Sequence, residues 1–344
     1  MHVSLLAPAP FSGISGGYAY DRRIVAGLRA AGHTVEVIEL PGRHPLPDDA
    51  AYAGVCTAWD ALAAGTRPVI DGLALPAFAE LRANLEGRNA VGLIHHPTAL
   101  ETGFSDADRI ALRRTEQRLM PELARVIVTS TPTADRLAAE FGVKPERIAV
   151  VVPGTEDAPR SAGSADGVCR ILSVGTLVPR KGHDVLLRAL ARLFDLEWRL
   201  TIVGAADRDP VHARSLTALA EQLGIAARVD FAGEVADDAL DTLWRDADIF
   251  ALATHWEGYG MAVAEALKRG VPPAVTAGGA AGALVPAEGG VVCPAGDVDG
   301  LSKSLRRLVF DAALRQHMAE VAFRAGESLP SWSTQVAAFA KALA

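Results

Sequence analysis

The chain has 344 residues, half of them hydrophobic and 22% charged, with a formal charge of −7; this length predicts two domains with ample cores and no long disordered tail. The acidic balance argues against a nucleic-acid partner, which needs a basic face. Cys56, Cys169 and Cys293 are scattered, with no CxxC or His-rich spacing, which argues against a structural zinc or a disulfide framework and suits a reducing cytoplasm.

Residues 1–8 lack a basic leader, and no apolar run approaches the length of a membrane span, so a soluble, cytoplasmic chain is expected. In chain order, short apolar runs at 3–7, 35–40, 69–73, 91–95, 126–130 and 148–152 read as strands. Amphipathic stretches at 18–31, 76–86, 106–119 and 133–141 read as helices between them. Pro, Gly and Ser gather at 153–164, the best boundary. The rhythm then restarts, with strands at 169–174, 200–203, 229–231, 249–253, 273–276 and 290–293. Helices are expected at 181–194, 211–223, 237–245, 261–269 and 298–324, and a last one at 332–343. Such alternation implies α/β architecture: two Rossmann-like domains with parallel sheets facing across a central cleft, and ligands at the carboxyl ends of the strands.

The most informative stretch is 254–268, where a strand runs through Glu257, Gly258, Tyr259 and Gly260 into a helix from Met261 that carries Glu265. A bare glycine turn before a helix N-terminus favours a phosphate. If the segment were helical throughout, the two glutamates would lie about 12 Å apart along the axis. Glycoside-hydrolase carboxyl pairs lie roughly 5 to 9.5 Å apart, so the two read instead as hydroxyl ligands at separate ends of a nucleotide sugar. The plainer reading is a glycine turn with two solvated acids.

Other candidates follow strands. Ser12–Tyr18 holds Gly16 and Gly17 but is no GxGxxG; it is either a close-approach loop for a diphosphate or acceptor, or a flexible connection. Gly175 and Thr176 lead to Arg180 and Lys181, adjacent cations at an expected helix start, where positive charge is unfavourable unless an anion binds. His95, His96 and Glu101 follow another strand; a neutral histidine there would contact a sugar or an incoming hydroxyl, against the alternative of structural or exposed histidines. Asp207-Arg208-Asp209 imitates a metal-binding DxD but lies in a turn beside Pro210. Arg109, Arg113, Arg114 and Arg118 share a helical face that would suit a weak peripheral contact with acidic lipid at the inner membrane face, whereas the interspersed Asp106, Asp108 and Glu116 favour a solvated helix.

Together these residues resemble the retaining GT-B glycosyltransferases of family 4 (glycosyl transferases group 1). The resemblance rests on Gly16-Gly17, the first-domain histidine, Pro153-Gly154, Arg180-Lys181-Gly182, Gly233, the Glu257-x7-Glu265 element and Trp332-Ser333 at the start of a final helix. It implies an acceptor-binding domain over 1–157, joined by the helix of 330–344, and a donor-binding domain over 166–326. It implies catalytic roles for His95, Lys181, Glu257 and Arg180. The donor contacts implied are Gly16, Gly17, Gly175, Thr176, Arg180, Lys181, Gly204, Gly233, Glu257, Gly258, Tyr259, Gly260, Met261 and Glu265, with His96 and Glu101 for acceptor or sugar. Glu257 would hold donor-sugar hydroxyls, Glu265 the ribose diol, and Lys181 the departing diphosphate. His95 would lie beside the transferred sugar, and a one-residue shift of alignment would choose His96. The partners would be a nucleoside-diphosphate sugar and a hydroxyl acceptor, with no metal or cofactor.

The implied reaction is front-side transfer with retained configuration, the acceptor proton passing to the leaving phosphate and domain closure excluding water. Thr176 departs from the family's arginine at that position, which leaves Arg180 to supply the second positive charge. A catalytically silent GT-B subunit supporting a partner enzyme, or a nucleotide-sugar epimerase, are the alternatives.

Overall fold

The structure is a computed structural model that describes residues 1–344 apart from Ile14, in the Ser12–Tyr18 loop, and Thr102, in the loop after His96. The chain divides into two compact units, Met1–Gly154 with Pro330–Ala344, and Thr155–Leu329.

Unit 1 runs β1 (His2–Pro8), α1 (Gly16–Ala30), β2 (Thr34–Leu40), α2 (Asp49–Ala61), β3 (Arg67–Asp71), a 3-10 segment (Leu75–Leu81), α3 (Arg82–Leu85), β4 (Val91–Ile94), α4 (Asp106–Leu119), β5 (Arg125–Val128), α5 (Thr131–Phe141) and β6 (Ile148–Val150). The strands form one parallel sheet in the order β2-β1-β3-β4-β5-β6. Because successive side chains of a strand point to opposite faces, Leu5 and Leu93 join one core layer while Leu6 and Ile94 join the other. A sheet buried on both faces explains the unbroken apolar runs in the sequence. Unit 1 is completed from the far end of the chain by α13 (Trp332–Leu343), whose Val336, Phe339 and Leu343 enter the layer against α1. Gly27 makes room for it: a Cβ there would lie 2.3 Å from Val336 Cγ2.

Unit 2 runs β7 (Cys169–Val174), α6 (His183–Leu190), β8 (Trp198–Val203), α7 (Pro210–Gln222), β9 (Val229–Gly233), α8 (Asp237–Asp246), β10 (Ile249–Leu252), α9 (Met261–Lys268), β11 (Pro273–Thr276), α10 (Ala281–Leu284), β12 (Val291–Cys293), α11 (Val298–Phe310) and α12 (Ala312–Glu327). Its parallel sheet has the order β12-β11-β10-β7-β8-β9. Here too alternation divides the core: Ile171 and Ile249 lie in one layer, Leu172 and Phe250 in the other.

Several expected elements differ. The stretch 298–324 is two helices, because Asp311 leaves helical geometry and its side chain caps α12 through Leu314 N–H. The stretch 76–86 is mostly 3-10: Leu75, Pro76, Ala77 and Phe78 are buried in succession, which no single α-helical face permits. Asp48 caps α2, a helix not expected from the sequence.

Candidate functional site

In a doubly wound sheet, ligands gather where the strand order reverses. In unit 2 that point lies between β7 and β10, and the loops after these two strands carry the cations and the glutamate. Arg180 and Lys181 do not open a helix as expected. They sit on a 3-10 turn, Pro179–Lys181, and α6 begins only after Gly182, whose left-handed φ of 63° breaks the path. The turn aims both cations at the neighbouring loop. Lys181 Nζ donates to Glu257 Oε1 at 2.5 Å, while Arg180 Nη1 donates to Trp256 O at 2.6 Å and lies 3.4 Å from the same glutamate oxygen. The backbone joins the loops as well, His255 N–H donating to Arg180 O at 2.8 Å.

Glu257 is 9% exposed. Burial pushes its pKa up, but Lys181 and Arg180 outweigh that and hold it below the usual value. Its backbone is pinned by a bridge to Gly279: Glu257 N–H donates to Gly278 O at 3.0 Å, and Ala280 N–H donates to Glu257 O at 2.9 Å. A Cβ on Gly279 would stand 2.1 Å from Glu257 O. Gly278 and Gly279 therefore belong to the site. Their signal in the sequence was a glycine pair just beyond a strand.

Glu257 thus lies outside any helix, so the separation drawn from eight helical residues does not apply. Only Met261 onward is helical, after Gly260 at φ 103°. The helix has no side-chain cap, and among the described hydrogen bonds none engages the Met261 or Ala262 N–H, which leaves an anion-ready terminus beside Gly258 and the buried Tyr259. Glu265 lies one turn further along α9, half-buried. Burial pushes it up to about 7 against the pull of Arg269, with Asp241 adding to the rise.

Gly175, Gly204 and Gly233 close the carboxyl ends of β7, β8 and β9. Gly175 N–H donates to Val203 O, and Gly204 N–H to Gly233 O, both at 2.8 Å. Gly204 is the most constrained of the three, since a Cβ there would meet Gly175 O at 2.1 Å. Thr176, half-buried, stands next in the loop. His183, not singled out from sequence, is fully buried with Nε2 3.2 Å from Gly175 O. Burial and Lys181 drive it down to about 4, so a neutral ring supports the loop.

In unit 1 the order reverses between β1 and β3. Asp21 on α1, Asp71 at the end of β3 and His95 just beyond β4 converge there, each offering a ligand atom within 4.8 Å of the others. His95 Nε2 lies 2.9 Å from Asp21 Oδ1. Burial lowers the pKa of His95, but Asp21 and Asp71 more than reverse it, so it is raised above the ordinary histidine value. Gly17 stands in the first turn of α1 because the ring of His95 lies against it; a Cβ there would be 3.2 Å from His95 Cδ2. The loop of Gly16 and Gly17 is thus a helix start, capped by Ser15 through Tyr18 N–H. His96 points elsewhere, its Nε2 3.8 Å from Glu101 Oε2.

Glu116, read from sequence as solvated, is fully buried. It accepts from Thr98 N–H at 2.7 Å, Thr98 Oγ1 at 2.8 Å and Ala99 N–H at 3.1 Å, tying α4 to the loop that follows the two histidines. Of the arginines on that helix, Arg109 pairs with Asp106 and Arg113 with Glu140, while Arg114 and Arg118 are exposed. No described helix is long and apolar enough to cross a membrane. Asp209 of the DxD-like turn caps α7 through His212 N–H at 2.9 Å.

Residues 155–324 match the family model of glycosyl transferases group 1, and residues 68–158 that of glycosyltransferase family 4. The D-inositol 3-phosphate glycosyltransferase of Rhodococcus opacus (strain B4) is 31% identical over 233 residues, 63% of this chain and 52% of that protein. The mannosylfructose-phosphate synthase of Agrobacterium fabrum (strain C58 / ATCC 33970) is 29% identical over 243 residues, 63% of this chain and 52% of its own length. The chain therefore spans about half the length of these curated relatives. Among solved structures, the sucrose-phosphate synthase of Thermosynechococcus elongatus superposes with a TM-score of 0.83 at 18% identity, over 99% of this chain and 98% of that one. Anabaena HepE in complex with UDP-glucose superposes with a TM-score of 0.79 at 19% identity, again over 99% and 98%. With two adjoining family models spanning 68–324 and two parallel six-stranded sheets of matching fold, the chain belongs to the family 4 (group 1) glycosyltransferases of GT-B architecture.

Proposed function

We propose that this protein transfers a sugar from a nucleoside-diphosphate donor to a hydroxyl acceptor, with retention at the anomeric carbon and without a metal ion. The observation that carries this reading is the convergence of Lys181 and Arg180 on Glu257 beside the uncapped start of α9. Positive charge and N–H groups fixed before the reaction stabilise a departing diphosphate most effectively, because nothing must reorganise as the negative charge develops. When a donor enters, Glu257 accepts hydrogen bonds from sugar hydroxyls while Lys181 turns toward the phosphates. Gly258, Tyr259, Gly260 and Met261 offer main-chain groups, and Glu265 accepts from the ribose diol. Gly175, Thr176, Gly204 and Gly233 line the strand ends where the nucleotide lies. In unit 1, His95 is assigned to the transferred sugar, Gly16 and Gly17 to its approach, and His96 with Glu101 to the acceptor. The complex of HepE with UDP-glucose supports a nucleotide-sugar donor of this kind.

A screen of UDP-, GDP-, ADP- and dTDP-sugars by thermal shift identifies the donor, since a ligand bound only to the folded state raises its stability. Transfer assays on Lys181→Ala then test the mechanism. Turnover is expected to fall about 10²- to 10³-fold, and an unchanged kcat/KM overturns the assignment. Thr176 and the engagement of Arg180 with Trp256 O favour one second reading, a silent subunit; it would bind the nucleoside diphosphate yet neither transfer nor hydrolyse any donor.

A further inference from the structure

Asp21, Asp71 and His95 come from three different elements, and the functional reading above uses only the histidine. Asp21 is fully buried and Asp71 is 2% exposed. Asp21 Oδ1 faces His95 Nε2 at 2.9 Å, while its Oδ2 is buried with no hydrogen-bond partner among the described residues. Asp71 Oδ1 accepts from Leu73 N–H at 2.7 Å, which fixes its carboxyl at the strand end. A void of about 10 Å³ adjoins Asp21, walled by Val3, Ile24, Leu93 and Phe339 among others. It is at the lower limit for a single water and its walls are apolar, so it offers little hydration to the carboxylate.

Two carboxylates this close in an apolar setting do not both ionise against one imidazole; one negative charge is matched by an imidazolium and the other is neutralised by a proton. We propose that Asp21 is the positioning residue of His95: its carboxylate holds the Nε2 hydrogen and, with a protonated Asp71 behind it, keeps the ring an imidazolium whose remaining donor, Nδ1–H, serves a substrate oxygen. This rests on the assignment of His95 to the reaction. The electrostatics agree, since burial and the charge of Asp21 push Asp71 up to about 7. Tyr20, whose ring edge meets His95 at a centroid distance of 5.2 Å, donates its hydroxyl to Val151 O and is pushed well above its ordinary value by burial and Asp21, so it stays neutral. His96 pairs with Glu101 instead. A metal held by the same three side chains would have to replace the Nε2 hydrogen.

The test uses the full chain labelled with ¹⁵N-histidine, His95 being assigned by the signal lost in His95→Gln. Asp21→Asn keeps an oxygen for the Nε2 hydrogen but removes the charge, and its folding is checked by urea unfolding. Its His95 titration is expected to shift downward by about one pH unit or more, the effect of losing a buried partner charge. Its kcat is expected to fall about 10²-fold while the donor KM changes little. An imidazole titration unaltered in Asp21→Asn, or a stoichiometric metal on Nε2 in the wild type, overturns the proposal. Full turnover in His95→Gln would instead sink the assignment of His95, while the ¹⁵N titration would still decide whether Asp21 holds the charge.

Discussion

At the residue scale, two acids placed in one motif have opposite environments. Glu257 meets two cations and is held below its ordinary pKa, so its stabilising contribution is present at neutral pH and is lost as pH falls through the lowered value. Glu265 is pushed up to about 7 by burial. The folded state then binds a proton that the unfolded chain releases near 4.5, so stability falls as pH rises from about 4.5 to 7. Glu265→Gln is expected to flatten that part of the stability profile, adding about 1–2 kcal/mol at pH 8 relative to wild type once solvent screening is allowed for. Urea midpoints measured from pH 4.5 to 8 check it; Asp71 contributes with the same sign in unit 1, so part of the slope persists. An unchanged profile would mean that Glu265 is ionised throughout.

At the element scale, the strand ends of unit 2 depend on glycine for two different reasons. At Gly204 the obstacle is space, a Cβ standing 2.1 Å from Gly175 O with nothing flexible to yield. At Gly233 the obstacle is only backbone, φ 66° with open space around it. Gly204→Ala is therefore expected to cost about 3 kcal/mol or more through forced strand displacement, and Gly233→Ala about 1–2 kcal/mol. Equilibrium denaturation separates the two; equal losses would show that the β7–β8 ends yield more easily than their packing implies. The strand–loop–helix rhythm was legible because both sheets are buried on both faces and leave unbroken apolar runs. The split at Asp311 was not, since it shows only in the non-helical backbone of that residue and in its capping bond.

At the scale of the whole molecule, unit 1 is completed by a helix from the opposite end of the chain. Trp332, Val336, Phe339 and Leu343 add their apolar surface to the layer built on α1. Gly154 lies so close to the start of that helix that a Cβ on it would stand 2.4 Å from the Trp332 backbone. Phe339→Ala is expected to destabilise unit 1 by about 3–5 kcal/mol and leave unit 2 unchanged. Hydrogen exchange resolved by peptide checks this, with protection lost in β1, β3 and α1 but kept in β7, β8 and β10. Loss spread evenly over both units would contradict the separate cores.

Period and composition alone determined the α/β class, the two-fold repetition of the strand–helix rhythm and the glycine turn before Glu265, because these depend on neighbours in sequence. Lys181 and Glu257, 76 residues apart, meet only because β7 and β10 are adjacent where the strand order reverses. Asp21, 74 residues from His95, reaches it across the end of β3, because β1 and β4 flank that strand in the other sheet. Glu116 reads as one more charge on a polar helix until the fold buries it against Thr98. Local propensity is written residue by residue, whereas the pairing of charges and the proton they share are set by which strands lie side by side, a property that no stretch of sequence carries by itself.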